Sequence, residues 1–282
     1  MKLHERTPDP VVYFIAGCLP AEALLHLRQF SLFSMVIRLP NNILHKMARY
    51  ILTTSSDSSQ SWFIQVKKLL LQYNLPHPLR LLDSPLSKAA LKKLFKNHVI
   101  DFWQTKLRRD AAPLSSLEYF KPQFMSLQIT HPLWTSCGSN SYEICKAIIQ
   151  AKMLSGRYRT DQLLRHFSDN DGLCTLCHQN IPGSIEHLLV QCPVLDESRK
   201  QLRLKLSTND DISDTVKSLI NDSFHSVKTT TQMLLDCTAI PATIAAKQTE
   251  GPSVIQQIFR FTRSWCYTIH KTRLKLLGRW HK

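Results

Sequence analysis

Four residues near the middle of the chain have a spacing that requires separate backbone segments to meet at one point. Cys174, Cys177, His187 and Cys192 form the pattern C-x2-C-x9-H-x4-C. Thiolate sulfur and imidazole nitrogen are donors that Zn²⁺ prefers, and four of them complete a tetrahedral structural site. The sequence therefore predicts one structural zinc ion that is bound by Cys174 and Cys177, with His187 and Cys192 completing the tetrahedron.

The two closing ligands, His187 and Cys192, are five residues apart, which an unbroken α-helix does not place on one face. Five residues of α-helix set two side chains about 140° apart. Pro193 follows Cys192 directly, and the residue before a proline avoids helical backbone angles. We expect a helix begun at His187 to break by Cys192, which helps both side chains reach one ion.

Other interpretations of these residues remain open. Cys174 and Cys177 with His178 match the C-x-x-C-H pattern of covalent haem attachment, but that pattern leaves His187 and Cys192 unexplained. A thioredoxin-type C-x-x-C needs a surrounding βαβ pattern, which the sequence lacks. The cysteines could also be ordinary buried thiols. His178 is an alternative nitrogen ligand, ranked below His187 because it adjoins Cys177.

The fold class follows from the scarcity of glycine. Seven glycines in 282 residues leave few positions for the positive φ angles that hairpins and small barrels need. The 43% of hydrophobic residues are sufficient for a core. The sequence therefore predicts a mainly α protein, an irregular helical bundle with a small CCHC zinc-binding module inserted near the middle.

Apolar residues at helical spacing predict the individual elements. The predicted helices cover 21–37, 41–52, 62–73, 85–107, 142–154, 195–206 and 215–224. A last, amphipathic helix has one apolar stripe of Val254, Ile258, Phe261, Trp265, Ile269 and Leu276. We divide the chain into an N-terminal helical region (1–140, basic over 62–109), a zinc-binding module with flanking helices (141–206) and a C-terminal helical region with a basic last helix (207–282).

The charge balance favours a polyanionic partner. Lys and Arg number 36 against 21 Asp and Glu, a net charge of +15, which points to nucleic acid first and anionic membrane second. Three thiolates and a neutral imidazole around Zn²⁺ carry about −1, so flanking cations must contact the phosphates. The candidate nucleic-acid contacts, with Tyr158 as a base-stacking ring, are Arg157, Tyr158, Arg159, Arg165, Arg199, Lys200, Arg203, Arg260, Arg263 and Lys271.

The sequence lacks the patterns of common enzymes. No phosphate-cradling glycine loop, dinucleotide fingerprint, H-E-x-x-H or G-x-S-x-G occurs. The adjacent carboxylates Asp210 and Asp211 lie in a polar loop without flanking strands, and two-metal nucleotidyl transfer needs carboxylates held around cations. We expect no catalytic residues and no small-molecule substrate. The apolar run before Cys18 is too short for a signal peptide, and no stretch reaches the about 18 apolar residues of a membrane span, so an intracellular protein is expected.

Three segments of the chain form one further pattern: 154–161 (LSGRYRTD), the Cys174/Cys177 pair, and 186–193 (EHLLVQCP) with Arg199. Together they resemble the zinc-binding segment that follows the reverse transcriptase of non-LTR retrotransposons. Segments 14–20 (FIAGCLP), 119–122 (YFKP) and 262–267 (TRSWCY) fall in the order of that region's helical C-terminal part.

The resemblance implies that Cys174, Cys177, His187 and Cys192 bind zinc and that the chain helps hold template RNA or target DNA near a polymerase. It also implies that the polymerase, with its paired aspartates, lies upstream and the endonuclease elsewhere in the polyprotein, since this chain contains neither. Nucleus and cytoplasm are the implied locations. A zinc-stapled scaffold that docks onto a polymerase domain and a decayed element without activity remain alternatives.

Overall fold

The computed structural model of the chain describes residues 7–167 and 171–278. It is 69% helical, and no strand forms among those residues, which confirms the mainly α prediction. The helices are α1 (Asp9–Ala16), α2 (Ala21–Ile37), α3 (Ile43–Thr54), α4 (Trp62–Gln72), α5 (Pro78–Asp83), α6 (Lys88–Ala111), α7 (Pro132–Thr135), α8 (Ser141–Leu154), α9 (Asp161–Leu164), α10 (Asp196–Thr208), α11 (Asp214–Ser223), α12 (Val227–Leu235), α13 (Pro241–Glu250) and α14 (Ser253–Leu276).

The chain divides into two compact units. The smaller unit is 18–110, and the larger one combines Met1–Gly17 with Ala111–Lys282. The three regions predicted from the sequence do not coincide with these units, because 141–206 and 207–282 pack together around α14. Within the described ranges no single helix is long and apolar enough to cross a membrane; α1 and α2 meet the length and composition requirement only when taken together across their break.

The smaller unit is organised by the apolar face of α6. Leu91, Phe95, Val99, Trp103 and Leu107 recur every fourth residue and are all buried, because residues four apart share one face of a helix. Four lysines of the same helix, Lys88, Lys92, Lys93 and Lys96, are exposed. The basic block predicted over 62–109 is therefore partly the solvated side of a packed helix.

The larger unit is built around α14, which packs against α7, α8, α10, α12 and α13. The predicted apolar stripe is buried from Val254 to Ile269, but Leu276 is 53% exposed because it is the last residue of the helix. Arg263, which was predicted to contact nucleic acid, is also buried, and so is Arg273. Burial on several sides follows from the central position of α14, which one amphipathic stripe does not predict.

Candidate metal centre

The four predicted ligands converge on one point. Their ligand atoms all lie within 4.8 Å of one another. The Sγ atoms of Cys174 and Cys192 are 3.9 Å apart, and the Sγ of Cys177 is 3.4 Å from Nε2 of His187. A tetrahedral ion with metal–sulfur bonds of about 2.3 Å and a metal–nitrogen bond of about 2.0 Å sets two sulfurs about 3.8 Å apart and sulfur and nitrogen about 3.5 Å apart. The cluster therefore has the dimensions of a Cys₃His metal site.

The first two ligands are presented by a tight chain reversal, which we call the knuckle (172–183). The backbone N–H of Cys174 donates to the carbonyl of Ile181 over 2.8 Å. His178 and Asn180 have φ angles of 51° and 55°, in the left-handed region that tight reversals use. The reversal turns His178 to the surface. The geometry therefore agrees with His187, and not His178, as the nitrogen ligand.

The closing ligands are brought together by a turn of π-helix, His187–Gln191. The N–H of Cys192 donates to the carbonyl of His187 over 2.7 Å, a bond across five residues that widens the turn. The wider turn brings residue 192 back over residue 187, where an α-helix would leave the two side chains far apart. The predicted break before Pro193 is confirmed, since the helix ends at Gln191, but the π-turn itself was not predicted.

A buried ion pair, which we call the latch, joins the knuckle to α14. Asp161 accepts hydrogen bonds from the backbone N–H and hydroxyl of Thr175 at 3.2 and 3.3 Å, and its other oxygen lies 3.2 Å from Nη2 of Arg273. Both charged side chains are less than a tenth exposed. A Cβ at Gly183 would stand 2.7 Å from the Cβ of Asp161, so the close approach of the two segments requires glycine there.

The segment that carries His187 and Cys192 is held by hydrogen bonds from α14 and α10. The indole N–H of Trp265 on α14 donates to the carbonyl of Leu189 in the π-turn over 3.4 Å. The guanidinium of Arg199 on α10 donates to the carbonyl of Cys192 and also lies 3.6 Å from Asp196. A buried positive charge beside the cluster offsets the net −1 that three thiolates and a divalent ion would carry.

The protonation chemistry suits a metal ligand set. The pKa of His187 is lowered mainly by burial and secondarily by the charge of Arg199. The lowered pKa favours the neutral imidazole that a metal requires. Burial, and then neighbouring Cys174, raises the pKa of Cys192 to about 12. A bound cation reverses that preference and deprotonates the thiol. Metal binding here therefore releases protons, and metal affinity should rise with pH.

Three of the ten predicted nucleic-acid contacts are buried, which contradicts their interpretation as ligand contacts. Tyr158 is 6% exposed and its hydroxyl lies 2.9 Å from Nδ1 of His270. Arg263 is 1% exposed and donates to Glu143 on α8. Arg199 is 3% exposed and donates a hydrogen bond to the carbonyl of the metal ligand Cys192. Each of the three side chains is buried and forms at least one hydrogen bond within the protein, so none is presented to a phosphate or a base.

The other seven candidates lie at or near the surface. Arg157 and Lys271 are half-buried, and the exposed ones are Arg159, Arg165, Lys200, Arg203 and Arg260. Lys200 pairs with Asp196 at 3.2 Å. The guanidinium of Arg203 lies 4.6 Å from the centre of the Phe224 ring. Two of the five exposed cations, Lys200 and Arg203, thus already have partners within the protein.

No family model, curated protein or solved structure matches this chain. The resemblance to retrotransposon reverse transcriptases therefore stays a hypothesis that the residues alone support. Sequence reasoning missed the latch residues Asp161 and Arg273. Asp161 closes the LSGRYRTD segment, but nothing in the sequence signals that its partner lies 112 residues away.

Proposed function

We propose that this chain is a non-catalytic, zinc-containing nucleic-acid-binding segment of the kind that follows the reverse transcriptase of non-LTR retrotransposons. In this role it helps hold template RNA or target DNA near a polymerase domain. The observation that carries the proposal is the convergence of Cys174, Cys177, His187 and Cys192 within 4.8 Å. The same residues anchor the resemblance to that family.

Zinc is the metal that this donor set suits. Three sulfurs and one imidazole nitrogen at tetrahedral separations are typical of structural zinc sites. Because the protein supplies all four ligands, no coordination position is left for water or substrate. The ion therefore acts as a staple that holds the knuckle and the π-turn together, and binding of nucleic acid falls to the surrounding surface.

The distribution of exposed cations supports a polyanionic partner. Arg159 and Arg165 flank the metal segment at the surface. On α6, four exposed lysines have no ion pair with a carboxylate of residues 7–167 or 171–278; they are Lys88, Lys92, Lys93 and Lys96. Cations without acidic partners are available to replace counterions along a phosphate backbone.

Elemental analysis of the purified protein tests the metal. We expect one zinc per chain and its loss in Cys177→Ser and His187→Ala variants. Cys145→Ser, which removes an exposed cysteine outside the cluster, is the matched control and should retain the metal. Failure to rebind any metal under reducing conditions would contradict the zinc assignment.

Binding of labelled RNA and DNA at several salt concentrations tests the partner. If the five exposed candidate cations each contact one phosphate, the logarithm of the affinity for a single strand should fall with a slope of about −3.5 against the logarithm of salt concentration. Affinity should then drop about a hundredfold between 50 and 200 mM salt. No measurable binding at 50 mM salt would refute the proposed function.

A protein-docking scaffold is the second candidate, and an apolar surface on the smaller unit favours it. Eight large apolar side chains of α2 and α3 are 45–68% exposed: Leu24, Leu25, Leu32, Met35, Ile43, Leu44, Met47 and Tyr50. Patches of this kind mark protein contacts. Co-purification with a reverse transcriptase domain of the proposed family, abolished by Leu32→Asp with Met47→Asp, would support docking.

A further inference from the structure

A cleft of about 680 Å³ lies in the larger unit between α8, α10 and α14. Its lining includes none of the four metal ligands. This volume falls in the range of clefts that hold small ligands or one unit of a polymer. The cleft is therefore separate from the metal centre, and it was not predicted from the sequence.

The cleft has an excess of positive charge, because its lining carries four cations (Lys146, Lys205, Arg260 and Arg263) against two carboxylates (Glu143 and Asp211). Lys205 on α10 and Arg260 on α14 line it, are exposed, and form no ion pair or hydrogen bond with the described part of the chain. At its floor Glu143 is shared by Lys146 at 2.7 Å and Arg263 at 2.8 Å. One carboxylate facing two cations leaves an excess positive charge there too.

An aromatic pair stands at the side of the same cleft. The rings of Tyr142 and Tyr267 meet edge to face with centroids 5.5 Å apart. Tyr142 is 52% exposed, and Nζ of Lys146 lies 4.3 Å from its ring centre. A largely exposed ring held in place by two neighbours offers a preorganised stacking surface, and bases of any identity stack on such surfaces.

The polar track extends beyond the cleft along α14. Arg260, Ser264, Tyr267 and Lys271 are spaced by four, three and four residues, so they share one face of the helix. Eleven residues of helix span about 16 Å, which is longer than one nucleotide. A track of this length suits a polymer better than an isolated anion.

We propose that this cleft binds a single-stranded nucleic acid, with a phosphate between Lys205 and Arg260 and a base stacked on Tyr142. The inference rests on the proposed nucleic-acid function and locates it on the molecule. Single strands are favoured over duplex because stacking on a side-chain ring needs an unpaired base face.

Fluorescence anisotropy of a labelled 15-nucleotide single strand with the metal-loaded full chain tests the cleft. Lys205→Gln with Arg260→Gln should reduce the salt slope by about 0.7, the share of the one phosphate that the two residues hold. The matched control, Lys228→Gln with Lys247→Gln, removes the same charge from exposed positions outside the cleft and should leave the slope unchanged.

Tyr142→Ala should weaken binding by about 5- to 150-fold, the loss of one stacked base, whereas Tyr142→Phe should bind like the parent. Parent-like binding by the cleft variants, with the parent protein binding the strand, would overturn the cleft and leave the proposed function standing. No binding by the parent protein would remove both. Equal affinity for a duplex of the same length would overturn the single-strand assignment.

Discussion

Replacing Asp161 with alanine should loosen the metal centre without touching a ligand. The substitution leaves the buried guanidinium of Arg273 without its carboxylate, and it leaves the N–H and hydroxyl of Thr175 without their acceptor. Removing one partner of a buried ion pair costs about 3–5 kcal/mol. We expect the free energy of unfolding of the larger unit to fall by this amount.

The free energy of metal binding should weaken by less than the free energy of unfolding does. The latch restrains the knuckle in the metal-free protein as well, so binding is affected only by the difference between the two states. Groups that orient metal ligands from outside the coordination sphere typically contribute 10- to 100-fold in affinity. A loss of that size corresponds to about 1.4–2.8 kcal/mol.

Two assays separate the stability and affinity effects of Asp161→Ala. Urea unfolding followed by tryptophan fluorescence reports stability, and competition with a chromophoric chelator reports metal affinity. Asp210→Ala, which removes an exposed loop carboxylate, controls for the change in net charge. Adding Arg273→Met to Asp161→Ala should restore part of the stability, since it removes the unpaired charge. If Asp161→Ala behaves like Asp210→Ala in both assays, the latch does not support the metal centre.

Two further predictions concern the same region. Gly183→Ala should lower metal affinity at least tenfold in the chelator assay, because the new Cβ would stand 2.7 Å from the Cβ of Asp161; parent-like affinity would show that the knuckle can shift. Burial, and then the charge of Arg273, lowers the pKa of His270 to about 4, so the unfolded chain binds a proton between pH 6.5 and 4 that the folded protein does not. The contribution of His270 to the free energy of unfolding should therefore be complete above pH 6.5 and fall by about 1–2 kcal/mol towards pH 4, after allowance for solvent screening. The His270→Gln variant should lack this part of the pH dependence, as measured by urea unfolding. The charged or polar groups that face His270 are Tyr158, Tyr267, Lys152 and Arg273.

The sequence predicted helices well where one apolar stripe determines them. The helix predicted over 21–37 has those bounds, and the one predicted over 215–224 runs Asp214–Ser223. The helix predicted over 85–107 begins later, at Lys88, because the hydroxyl of Ser87 accepts the N–H of Ala90 as a cap. Such boundaries depend on single hydrogen bonds, which periodicity does not report.

Helices that depend on tertiary contacts escaped prediction. α12 reads VKTTTQMLL, and its threonines are poor helix formers. In the fold Thr230 and Thr231 are buried, and their hydroxyls donate to backbone carbonyls four residues earlier. Packing against α14 and α8 stabilises this helix, and that information lies far away in the sequence.

In the candidate site, too, some features could be predicted from the sequence and others could not. The ligand set could be predicted because four donors at metal-binding spacing are informative without any partner. The burial of the arginines could not be predicted, because a count of formal charges does not show which charged side chains are buried. Arg263, one of the predicted nucleic-acid contacts, is buried in a pair with Glu143, which lies 120 residues away along the chain. Arg273 is buried in a pair with Asp161, 112 residues away.

The metal centre and the cleft share α10 and α14, which predicts that metal loss weakens nucleic-acid binding without removing any cation. α10 begins just after Cys192, is fixed there by the bond from Arg199 to the Cys192 carbonyl, and carries Lys205 into the cleft. Releasing Cys192 from a metal frees the start of α10, so Lys205 loses its fixed position opposite Arg260. Chelation should therefore reduce single-strand affinity several-fold in the parent protein, whereas the Lys205→Gln, Arg260→Gln variant should lose less. If chelated and metal-loaded parent bind equally, packing against α14 alone positions α10, and the metal supports only the knuckle.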